Sequence, residues 1–275
     1  MQLTMLAEKK PVVPFLKWAG GKRWLTSYFP DLFPENYEKY IEPFLGSGTV
    51  FFYLRPRKAF LSDINEDLIV TYNALKNDCI KVQKYLTAHS QRHNAEYYYK
   101  IRSSKPKSEW TRAARFIYLN RTCWNGLYRV NRKGEFNVPI GTKTRVLLDS
   151  DDFDSVSKML KNAVIAHQDF EKSLSKAKEN DFVFIDPPYT VKHDNNGFIK
   201  YNEKIFSWED QERLRCAVQN AVSRGAKILV LNAAHDSIRN LYSEFKHIEC
   251  ERNSVLAGKA EFRGSVKEIA IKCGY

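Results

Sequence analysis

The stretch that decides the fold of this chain is Asp181-Phe182-Val183-Phe184-Ile185-Asp186-Pro187-Pro188-Tyr189. Residues 182–185 are apolar, β-branched or aromatic, a pattern that predicts a short buried strand. Asp186 follows where the strand ends, and the two prolines after it fix φ and remove two backbone donors. We therefore expect a carboxylate and a backbone carbonyl to face outward there, beside the ring of Tyr189. An exocyclic amine on a flat ring fits this arrangement, because each acceptor takes one amine hydrogen and the ring stacks on the tyrosine.

The same four residues also have a structural interpretation, in which Asp186 caps a strand-ending turn and the prolines stiffen it. The surrounding pattern favours the binding role, since strands and helices alternate on both sides as in a doubly wound parallel sheet. The predicted strands are 40–41, 59–62, 163–165, 182–185 and 227–231, with a terminal hairpin of 246–251 and 266–271. The predicted helices are 49–54, 65–75, 80–86 and 209–224, with a basic helical pattern at 96–120 and a hairpin at 131–138. We predict an α/β fold in which 12–65 and 152–275 form the doubly wound core domain and 66–151 is a mainly helical insert.

A glycine loop follows the first predicted strand and opens a helix at Gly46-Ser47-Gly48. Glycines there let the backbone approach a ligand at the positive end of a helix dipole. Asp63 ends the next strand, where an acid can accept hydrogen bonds from the two hydroxyls of a ribose. Phe51 stands where a dinucleotide-binding loop has its third glycine, so an adenosine derivative with a sulfonium and no phosphates fits better. The structural alternatives are an ordinary tight turn for the glycines and a helix N-cap for Asp63.

Basic charge is concentrated in one part of the chain. The whole sequence has 44 Lys and Arg against 32 Asp and Glu, a formal net charge of +12. Between Arg92 and Arg145 there are thirteen Lys or Arg and only three acids. Arginines are mixed there with aromatic residues, which favours a nucleic acid partner over a merely solvated basic surface.

The cysteine pattern and the N-terminal sequence predict the cellular compartment of the protein. Five cysteines are scattered without a Cys-x-x-Cys pair, so neither a zinc site nor a disulfide framework is predicted. The first ten residues lack the apolar stretch of a signal peptide, and no apolar segment is long enough to span a bilayer. We therefore expect a soluble cytoplasmic protein with reduced thiols and no membrane partner.

Six motifs occur together in one order: Lys17-Trp18-Ala19-Gly20-Gly21-Lys22, Glu42-Pro43-Phe44 with Gly46 and Gly48, Asp63, Asn125-Gly126-Leu127, Phe136-Asn137-Val138-Pro139 and Asp186-Pro187-Pro188-Tyr189. From about Pro14 to Ile271 the chain resembles the Dam-like adenine-specific (N6) DNA methyltransferase family. The resemblance implies a Rossmann-like, S-adenosyl-L-methionine-dependent methyltransferase fold with an inserted DNA target-recognition domain. It also implies transfer of a methyl group to the N6 amine of a flipped-out adenine in a short DNA site, without a metal. The expected partner is double-stranded DNA, bound by a monomer or weak dimer in a bacterial or phage-infected cytoplasm.

The resemblance also assigns roles to residues. The catalytic residues would be Asp186, Pro187, Pro188 and Tyr189. The cofactor pocket would be lined by Trp18, Lys22, Asp63 and Asp186, with Phe44, Gly46 and Gly48 beside it. The DNA contacts would be Lys17, Trp124, Asn125, Leu127, Arg129 and Pro139. Core packing is the alternative for Trp124, and residues 190–206 would be either a loop that closes over the pocket or a plain surface loop.

The recognition site is expected to be GATC or a longer site that begins with GAT. One departure is Gly141-Thr142-Lys143-Thr144, which stands where GATC enzymes have Gly-Arg-Tyr-Lys. Two other functions remain open at this point. The same pair of acceptors suits the N4 amine of cytosine or an adenine in RNA, and a catalytically inactive DNA-binding module would keep the fold without transferring a methyl group.

Overall fold

The structure is a computed structural model that describes residues 12–131, 134–191, 206–253 and 265–275. The chain divides into two compact units. The sheet unit consists of Lys22–Leu45, Pro56–Ile69 and Asn162–Tyr275. The helical unit consists of Met1–Gly21, Gly46–Arg55 and Val70–Lys161. No helix in the described ranges is long and apolar enough to cross a membrane.

The helices and strands are numbered along the chain. The helices are α1 Arg23–Tyr28, α2 Thr49–Leu54, α3 Glu66–Arg92, α4 Ala95–Ser103, α5 Glu109–Thr122, α6 Phe153–Leu160, α7 Phe170–Leu174, α8 Trp208–Ser223 and α9 Asp236–Leu241. Short 3₁₀ turns occur at Pro30–Leu32 and Trp124–Gly126. The strands, all in the sheet unit, are β1 Tyr40–Glu42, β2 Ala59–Asp63, β3 Ala163–His167, β4 Phe182–Ile185, β5 Lys227–Ala233, β6 Lys246–Asn253 and β7 Ser265–Cys273.

One mixed sheet of seven strands is formed by the described residues, in the order β3-β2-β1-β4-β5-β7-β6. Strands β3, β2, β1, β4 and β5 are parallel, and β7 is antiparallel to both β5 and β6. The strand order therefore reverses between β1 and β4, as in Rossmann-like doubly wound sheets, and ligands bind outside the carboxyl ends of the strands at such a point. Here β1 leads into Glu42-Pro43-Phe44 and β4 leads into Asp186, which confirms the predicted α/β fold class.

The central strands are buried because their apolar residues face helices as well as neighbouring strands. Residues 182–185 and 228–231 are almost fully buried, as expected for parallel strands covered on both faces. Helix α8 packs Leu214, Val218 and Ala221 into the same core, at the spacing of one helical face. A capping box between Ser207 and Asp210 fixes where α8 begins. This core holds the carboxyl ends of β1 and β4 in place.

The helical unit is built around α3, α4 and α5. Helix α3 is interrupted at Asp78, where φ is −154° and ψ is 83°. The side chain of Asn94 accepts the Tyr97 N–H to start α4, and that of Ser108 accepts the Thr111 N–H to start α5. The helical pattern predicted over 96–120 is therefore two helices, separated by residues 104–108. The break contains Pro106, which disfavours a helical conformation at the residue before it.

Arg121 forms hydrogen bonds that connect three segments of the helical unit: α5, the segment at Phe15 and the segment from 146 to 151. Its guanidinium donates to both carboxylate oxygens of Asp151, each at 2.6 Å, and to the carbonyls of Val146 at 2.7 Å and Phe15 at 2.9 Å. Paired, charge-assisted hydrogen bonds of this kind fix geometry as well as stabilise it. The bond to Phe15 anchors the backbone just before Lys17 and Trp18.

Candidate active site

Asp186 is the first residue after β4, and the loop that follows it is held by buried side chains. The Gln211 amide donates to the Pro188 carbonyl at 3.4 Å, and Asn232 in turn donates to the Gln211 side-chain oxygen at 3.1 Å. Both Gln211 and Asn232 are fully buried. Among the described residues none donates to the Pro187 carbonyl. The loop is thus fixed through the Pro188 carbonyl, and Pro187 itself is buried.

The Asp186 carboxylate belongs to a buried polar cluster that we call the carboxylate cluster: Lys22, Asp186, Tyr189 and Glu268. The Lys22 ammonium lies 2.9 Å from Asp186 Oδ1 and 3.6 Å from Glu268 Oε2. The Tyr189 hydroxyl donates to Glu268 Oε2 at 2.6 Å. The Lys22 ammonium also lies 5.1 Å from the centre of the Tyr189 ring, within the range of a cation–π contact.

The three charged side chains of the carboxylate cluster differ in how much of their surface is exposed to solvent. The side chains of Lys22 and Glu268 are 4% and 1% exposed, whereas that of Asp186 is 21% exposed. Lys22 is therefore a buried cation and not a solvated one. Of the two carboxylates in the cluster, that of Asp186 is the one that reaches solvent, and it is therefore placed to receive a ligand.

Desolvation by burial raises the pKa of Asp186 to about 6. The positive charge of Lys22 acts against this rise, and the negative charge of Glu268 adds to it. Hydrogen bonds from Lys22 and Tyr189 favour the charged form and lower the pKa again. A carboxyl group that titrates just below neutral pH is ionised at pH 7 yet accepts a proton readily, as functional carboxylates do.

Asp63 lies at the carboxyl end of β2, where a ribose-binding acid was predicted. One of its oxygens accepts the Asn65 N–H at 2.9 Å, and the Asn65 side chain accepts the Leu68 N–H at 3.1 Å. Asn65 and not Asp63 is therefore the N-cap of α3. Asp63 makes a local turn that orients its carboxylate at the carboxyl end of β2.

Phe44 follows β1 and is partly buried in the sheet unit. Its ring stacks on Phe170 at 5.5 Å and meets the edge of Phe206 at 5.6 Å. This aromatic packing fixes Phe44 beside the carboxyl ends of β1 and β2, where it was predicted to lie beside a cofactor.

Trp18 and Gly46 contact each other in the helical unit. A Cβ atom on Gly46 would lie 2.8 Å from Trp18 Cδ1, and Gly46 has φ of +48°. The indole also stacks on Phe116 at 6.3 Å and on Tyr128 at 5.8 Å. The missing side chain at position 46 therefore makes room for Trp18 itself, in addition to any ligand.

This contact predicts the effect of an alanine at position 46. Gly46→Ala forces a left-handed residue to carry a Cβ that clashes with Trp18, and we expect it to destabilise the protein by about 2–3 kcal/mol. Gly134→Ala is the matched control, because Gly134 has φ of +74° but nothing within 4 Å of its added Cβ. It should lower stability by about 1 kcal/mol, and equal losses in urea unfolding of the two variants would show that the Trp18 contact contributes nothing.

Lys17 is held by its backbone against Asn120. The Asn120 side chain accepts the Lys17 N–H at 2.9 Å and donates to the Lys17 carbonyl at 2.8 Å. Gly126 approaches so closely that a Cβ there would lie 2.7 Å from Lys17 Cδ. Partial burial, and then the neighbouring Lys143, lower the pKa of Lys17. A site where a second lysine lies beside Lys17 is placed to receive an anion.

The predicted wedge, Trp124, begins the turn after α5. Its side chain is 52% exposed, so the alternative of core packing is wrong. The Trp124 N–H donates to the Pro139 carbonyl at 2.9 Å, and Asn125 adopts φ of +54°. The turn therefore presents an aromatic ring to solvent on a fixed backbone.

Arg129 and Pro139 are exposed and Leu127 is half-buried in the same part of the helical unit. The Arg129 Nε donates to the Asn137 side chain at 2.9 Å, and the Asn137 N–H donates to the Arg129 carbonyl at 3.1 Å. The predicted hairpin is confirmed by the bridge between Val130 and Phe136. It orients the guanidinium of Arg129 through its Nε.

The segment that departs from the GATC pattern begins with a glycine that packing requires. The Gly141 N–H donates to the Thr122 carbonyl at 2.8 Å, and a Cβ on Gly141 would lie 2.5 Å from the Cys123 carbonyl oxygen. This close approach places the next residues, including Lys143, beside the end of α5. The chain thus differs from the GATC pattern in the side chains that follow Gly141, while the backbone of Gly141 is held by this hydrogen bond and close contact.

Three residues of these sites were not predicted from the sequence. Glu268 lies in the terminal hairpin, Gln211 in α8 and Asn120 in α5. Each is a polar residue that the fold buries, and no motif in the sequence marks it. Their partners are distant along the chain, so only the fold reveals their roles.

Part of the predicted closing loop lies outside the described residues. Of the segment 190–206, the structure describes residues 190, 191 and 206. Residues 132 and 133 of the predicted hairpin are likewise outside the described ranges.

Comparison with known proteins identifies the family. Residues 18–256 match the D12 class N6 adenine-specific DNA methyltransferase family. This chain belongs to that family. It is 38% identical over 267 residues to a type II methyltransferase of Lactococcus lactis subsp. cremoris, with 94% of each protein covered. It is 40% identical over 257 residues to a type II methyltransferase of Methanocaldococcus jannaschii, with 85% of this chain and 89% of the relative covered.

The D12 methyltransferase also resembles DNA adenine methylases. It is 33% identical over 251 residues to the DNA adenine methylase of Escherichia coli K12, with 88% of each protein covered. The predicted family, enzyme class and adenine N6 activity are thereby confirmed. Membership in a methyltransferase family implies a methyl donor, and membership in a DNA methyltransferase family implies a DNA substrate.

Proposed function

We propose that this D12 methyltransferase uses S-adenosyl-L-methionine to methylate an adenine that is flipped out of a short site in double-stranded DNA. The observation that supports this most strongly is the placement of Asp186. Its partly exposed carboxylate lies at the carboxyl end of β4, next to the point where the strand order reverses. Chemistry on a base requires that the base leave the stack, because a duplex hides the reacting atom.

The amine of the flipped adenine would be held by two acceptors. One hydrogen binds the Asp186 carboxylate and the other binds the Pro187 carbonyl, with the base stacked on Tyr189. Adenine N6 is a poor nucleophile, because its lone pair is delocalised into the ring. Two hydrogen bonds from the amine favour a more pyramidal nitrogen and stabilise the positive charge that grows on it.

The carboxylate cluster fits a cofactor that is cationic at its reactive atom. It contains two carboxylates and one ammonium, so its negative charge exceeds its positive charge when all three groups are ionised. When bound, S-adenosyl-L-methionine supplies a methyl group whose bond to a positively charged sulfur breaks, with the electron pair left on sulfur, as the bond to N6 forms. Asp63 would hold the ribose hydroxyls, and Trp18, Lys22, Phe44, Gly46 and Gly48 are proposed to line the remaining cofactor contacts.

Asp186 can accept the proton that leaves N6 after methyl transfer. Methyl transfer leaves N6 positively charged with both of its hydrogens, and this cation is a far stronger acid than a carboxylic acid whose pKa is about 6, so Asp186 can take one proton and release it to solvent at neutral pH. Asp186 thus acts first as a hydrogen-bond acceptor and only afterwards as a proton carrier.

The helical segment 66–151 is proposed to recognise the DNA, and 12–65 with 152–275 to perform catalysis. Arg129 has a geometry suited to guanine O6 and N7, whereas Leu127 and Pro139 suit a thymine methyl group. Lys17 and Asn125 would contribute further contacts, and the exposed ring of Trp124 would fill the gap left by the flipped base. The proposed target is GATC or a longer site that begins with GAT.

The proposal is tested by expressing the protein in a host that lacks adenine methylation. Long-read sequencing and mass analysis of nucleosides from that host should reveal N6-methyladenine in one short motif. Methylated cytosine N4, or methylation confined to RNA, would replace the proposed substrate. Cofactor binding by the purified protein without any methyl transfer would identify a DNA-binding module instead.

Arg129→Ala is expected to relax the choice of sequence without abolishing transfer. Losing a bidentate contact to guanine should reduce discrimination at that base pair by about 1–3 kcal/mol. The measurement compares kcat/KM on the preferred duplex with kcat/KM on duplexes changed at single positions. Arg145→Ala is the control, since Arg145 is exposed and pairs with Asp149 at 3.1 Å, and an unchanged preference in both variants would remove Arg129 from the recognition residues.

A further inference from the structure

Glu268 is a buried acid within an apolar strand. It lies on β7 opposite Ala233 of β5, followed by Ile269, Ala270 and Ile271, and its side chain is 1% exposed. Burying a carboxylate is strongly unfavourable unless partners satisfy it. The reason for an acid at this position must therefore be found in its contacts.

Two partners of Glu268 among the described residues, Lys22 and Tyr189, also contact Asp186 or stand beside it. The Tyr189 hydroxyl donates to Glu268 Oε2 at 2.6 Å, and Lys22 lies 3.6 Å from the same oxygen. Lys22 lies 2.9 Å from Asp186 Oδ1 and 5.1 Å from the Tyr189 ring. Glu268 thus holds the two side chains that flank the Asp186 carboxylate, although it is far from them in sequence.

A purely structural role for Glu268 does not explain why a second carboxylate is buried near Asp186. A second carboxylate near Asp186 repels its charge, and replacing buried ionic groups by apolar ones often leaves stability unchanged or improved. Clusters that keep such groups and perturb a neighbour's pKa are concentrated at functional sites. What Glu268 provides is a fixed hydroxyl on Tyr189 and a shared ammonium on Lys22.

We propose that Glu268 is a positioning residue for methyl transfer: by binding the Tyr189 hydroxyl and sharing Lys22 with Asp186, it fixes the stacking ring and the orientation of the accepting carboxylate. This inference rests on the proposed function, since it assigns Tyr189 and Asp186 to the adenine. The side chain of Glu268 is 1% exposed, so its proposed effect on the base is exerted through other residues. It acts through its two partners, as residues that orient catalytic groups do.

The carboxylate cluster affects the pKa of Asp186, which packing contacts alone would not do. The charged or titratable groups that face Asp186 among the described residues are Lys22, Glu268 and Tyr189. The charge of Glu268 raises the pKa of Asp186, whereas the Tyr189 hydrogen bond lowers it. Removing the charge of Glu268 should therefore lower the pKa of Asp186, and removing the Tyr189 hydroxyl should raise it.

Two conservative variants test this proposal. Glu268→Gln keeps the shape and an acceptor oxygen but removes the charge, and Tyr189→Phe keeps the ring but removes the hydroxyl. Carbon-13 NMR of the carboxyl groups in the cofactor-free protein should show the Asp186 titration, near pH 6 in the wild type, move down in Glu268→Gln and up in Tyr189→Phe. The acid limb of kcat in the methylation assay should move in the same two directions.

Glu268→Ala should lower kcat by about 10²-fold, because misplaced catalytic groups lose rate without losing substrate binding, while KM for DNA stays within about threefold. Glu249→Gln is the matched control: Glu249 lies on neighbouring β6, is exposed, and pairs with Arg239 at 2.6 Å. It should leave the Asp186 titration and kcat unchanged. If Glu268→Gln does not fold, the kcat of Tyr189→Phe decides, because that variant removes the hydroxyl that Glu268 binds; a wild-type kcat would overturn the proposal.

The inference is overturned if the variants methylate DNA at the wild-type rate with unmoved Asp186 titrations. It is separable from the proposed function. If the wild type left all DNA unmethylated while the NMR titrations moved as described, the methylation proposal would fail and the coupling of Glu268 to Asp186 would stand.

Discussion

Asp186→Ala is expected to abolish methyl transfer while leaving DNA binding within a few-fold of the wild type. The variant loses the acceptor that holds the adenine amine and stabilises its growing charge, and we expect a loss of at least about 10³-fold in kcat. DNA affinity should persist, because the proposed base and phosphate contacts belong to residues such as Lys17 and Arg129. The measurement pairs single-turnover transfer of labelled methyl groups with a DNA-binding titration.

Asp186→Asn separates charge from shape in the same experiment. The amide keeps one acceptor oxygen but lacks the negative charge, so its rate should lie between those of the wild type and Asp186→Ala. In the wild type, kcat should fall as the pH drops through about 6, since protonation of Asp186 removes the charged acceptor. Full activity in Asp186→Ala, or an acid limb that persists in Asp186→Asn, would remove Asp186 from the reaction.

Lys22→Met is expected to destabilise the sheet unit as well as inactivate the enzyme. Lys22 is 4% exposed and lies between the carboxylates of Asp186 and Glu268. Removing the ammonium leaves two buried negative charges without compensation, and breaking such a pair typically costs about 3–5 kcal/mol. The free energy of unfolding, measured in urea, should fall by this amount at neutral pH, and the pKa of Asp186 should rise.

The reason for this loss can be checked with a second substitution. In the double variant Lys22→Met/Glu268→Gln only one of the two negative charges remains, so part of the lost stability should return. Lys158→Met is the control, because Lys158 forms an exposed pair with Asp154 one helical turn away and should unfold like the wild type. A Lys22→Met protein as stable as the Lys158→Met control would contradict the proposed role of the ammonium.

Much of the fold was predictable because local patterns and tertiary packing agree. The run at 182–185 is a strand in full, and Thr49–Leu54 is a helix with the predicted bounds. The terminal hairpin was predicted from alternation alone and is confirmed as the antiparallel pair β6 and β7. In each of these elements the apolar period and the turn residues favour the same structure.

The local errors have local causes. The pattern over 96–120 is periodic enough to suggest one helix, but the Ser108 cap and Pro106 divide it into α4 and α5. Asp63 was considered as a cap for α3, and Asn65, two residues later, fills that role. Short polar side chains near a helix start compete for the same backbone donors, so sequence alone does not choose between them.

The site was predictable only where a motif marks it. Asp186 and Lys22 belong to motifs, and the structure brings them to 2.9 Å from each other. Glu268 belongs to none, because its role depends on a contact with Tyr189, 79 positions away. Gly46 was expected to admit a ligand, and its contact with Trp18 gives it a packing role that no local pattern indicates.

The most direct measurement is a crystal structure of the protein bound to its DNA site and a non-transferring analogue of the methyl donor. The adenine N6 should lie about 2.7–3.2 Å from both an Asp186 carboxylate oxygen and the Pro187 carbonyl oxygen, with the ring stacked on Tyr189. An adenine that remained paired in the duplex, or an amine bound by neither oxygen, would contradict the proposed grip on the base.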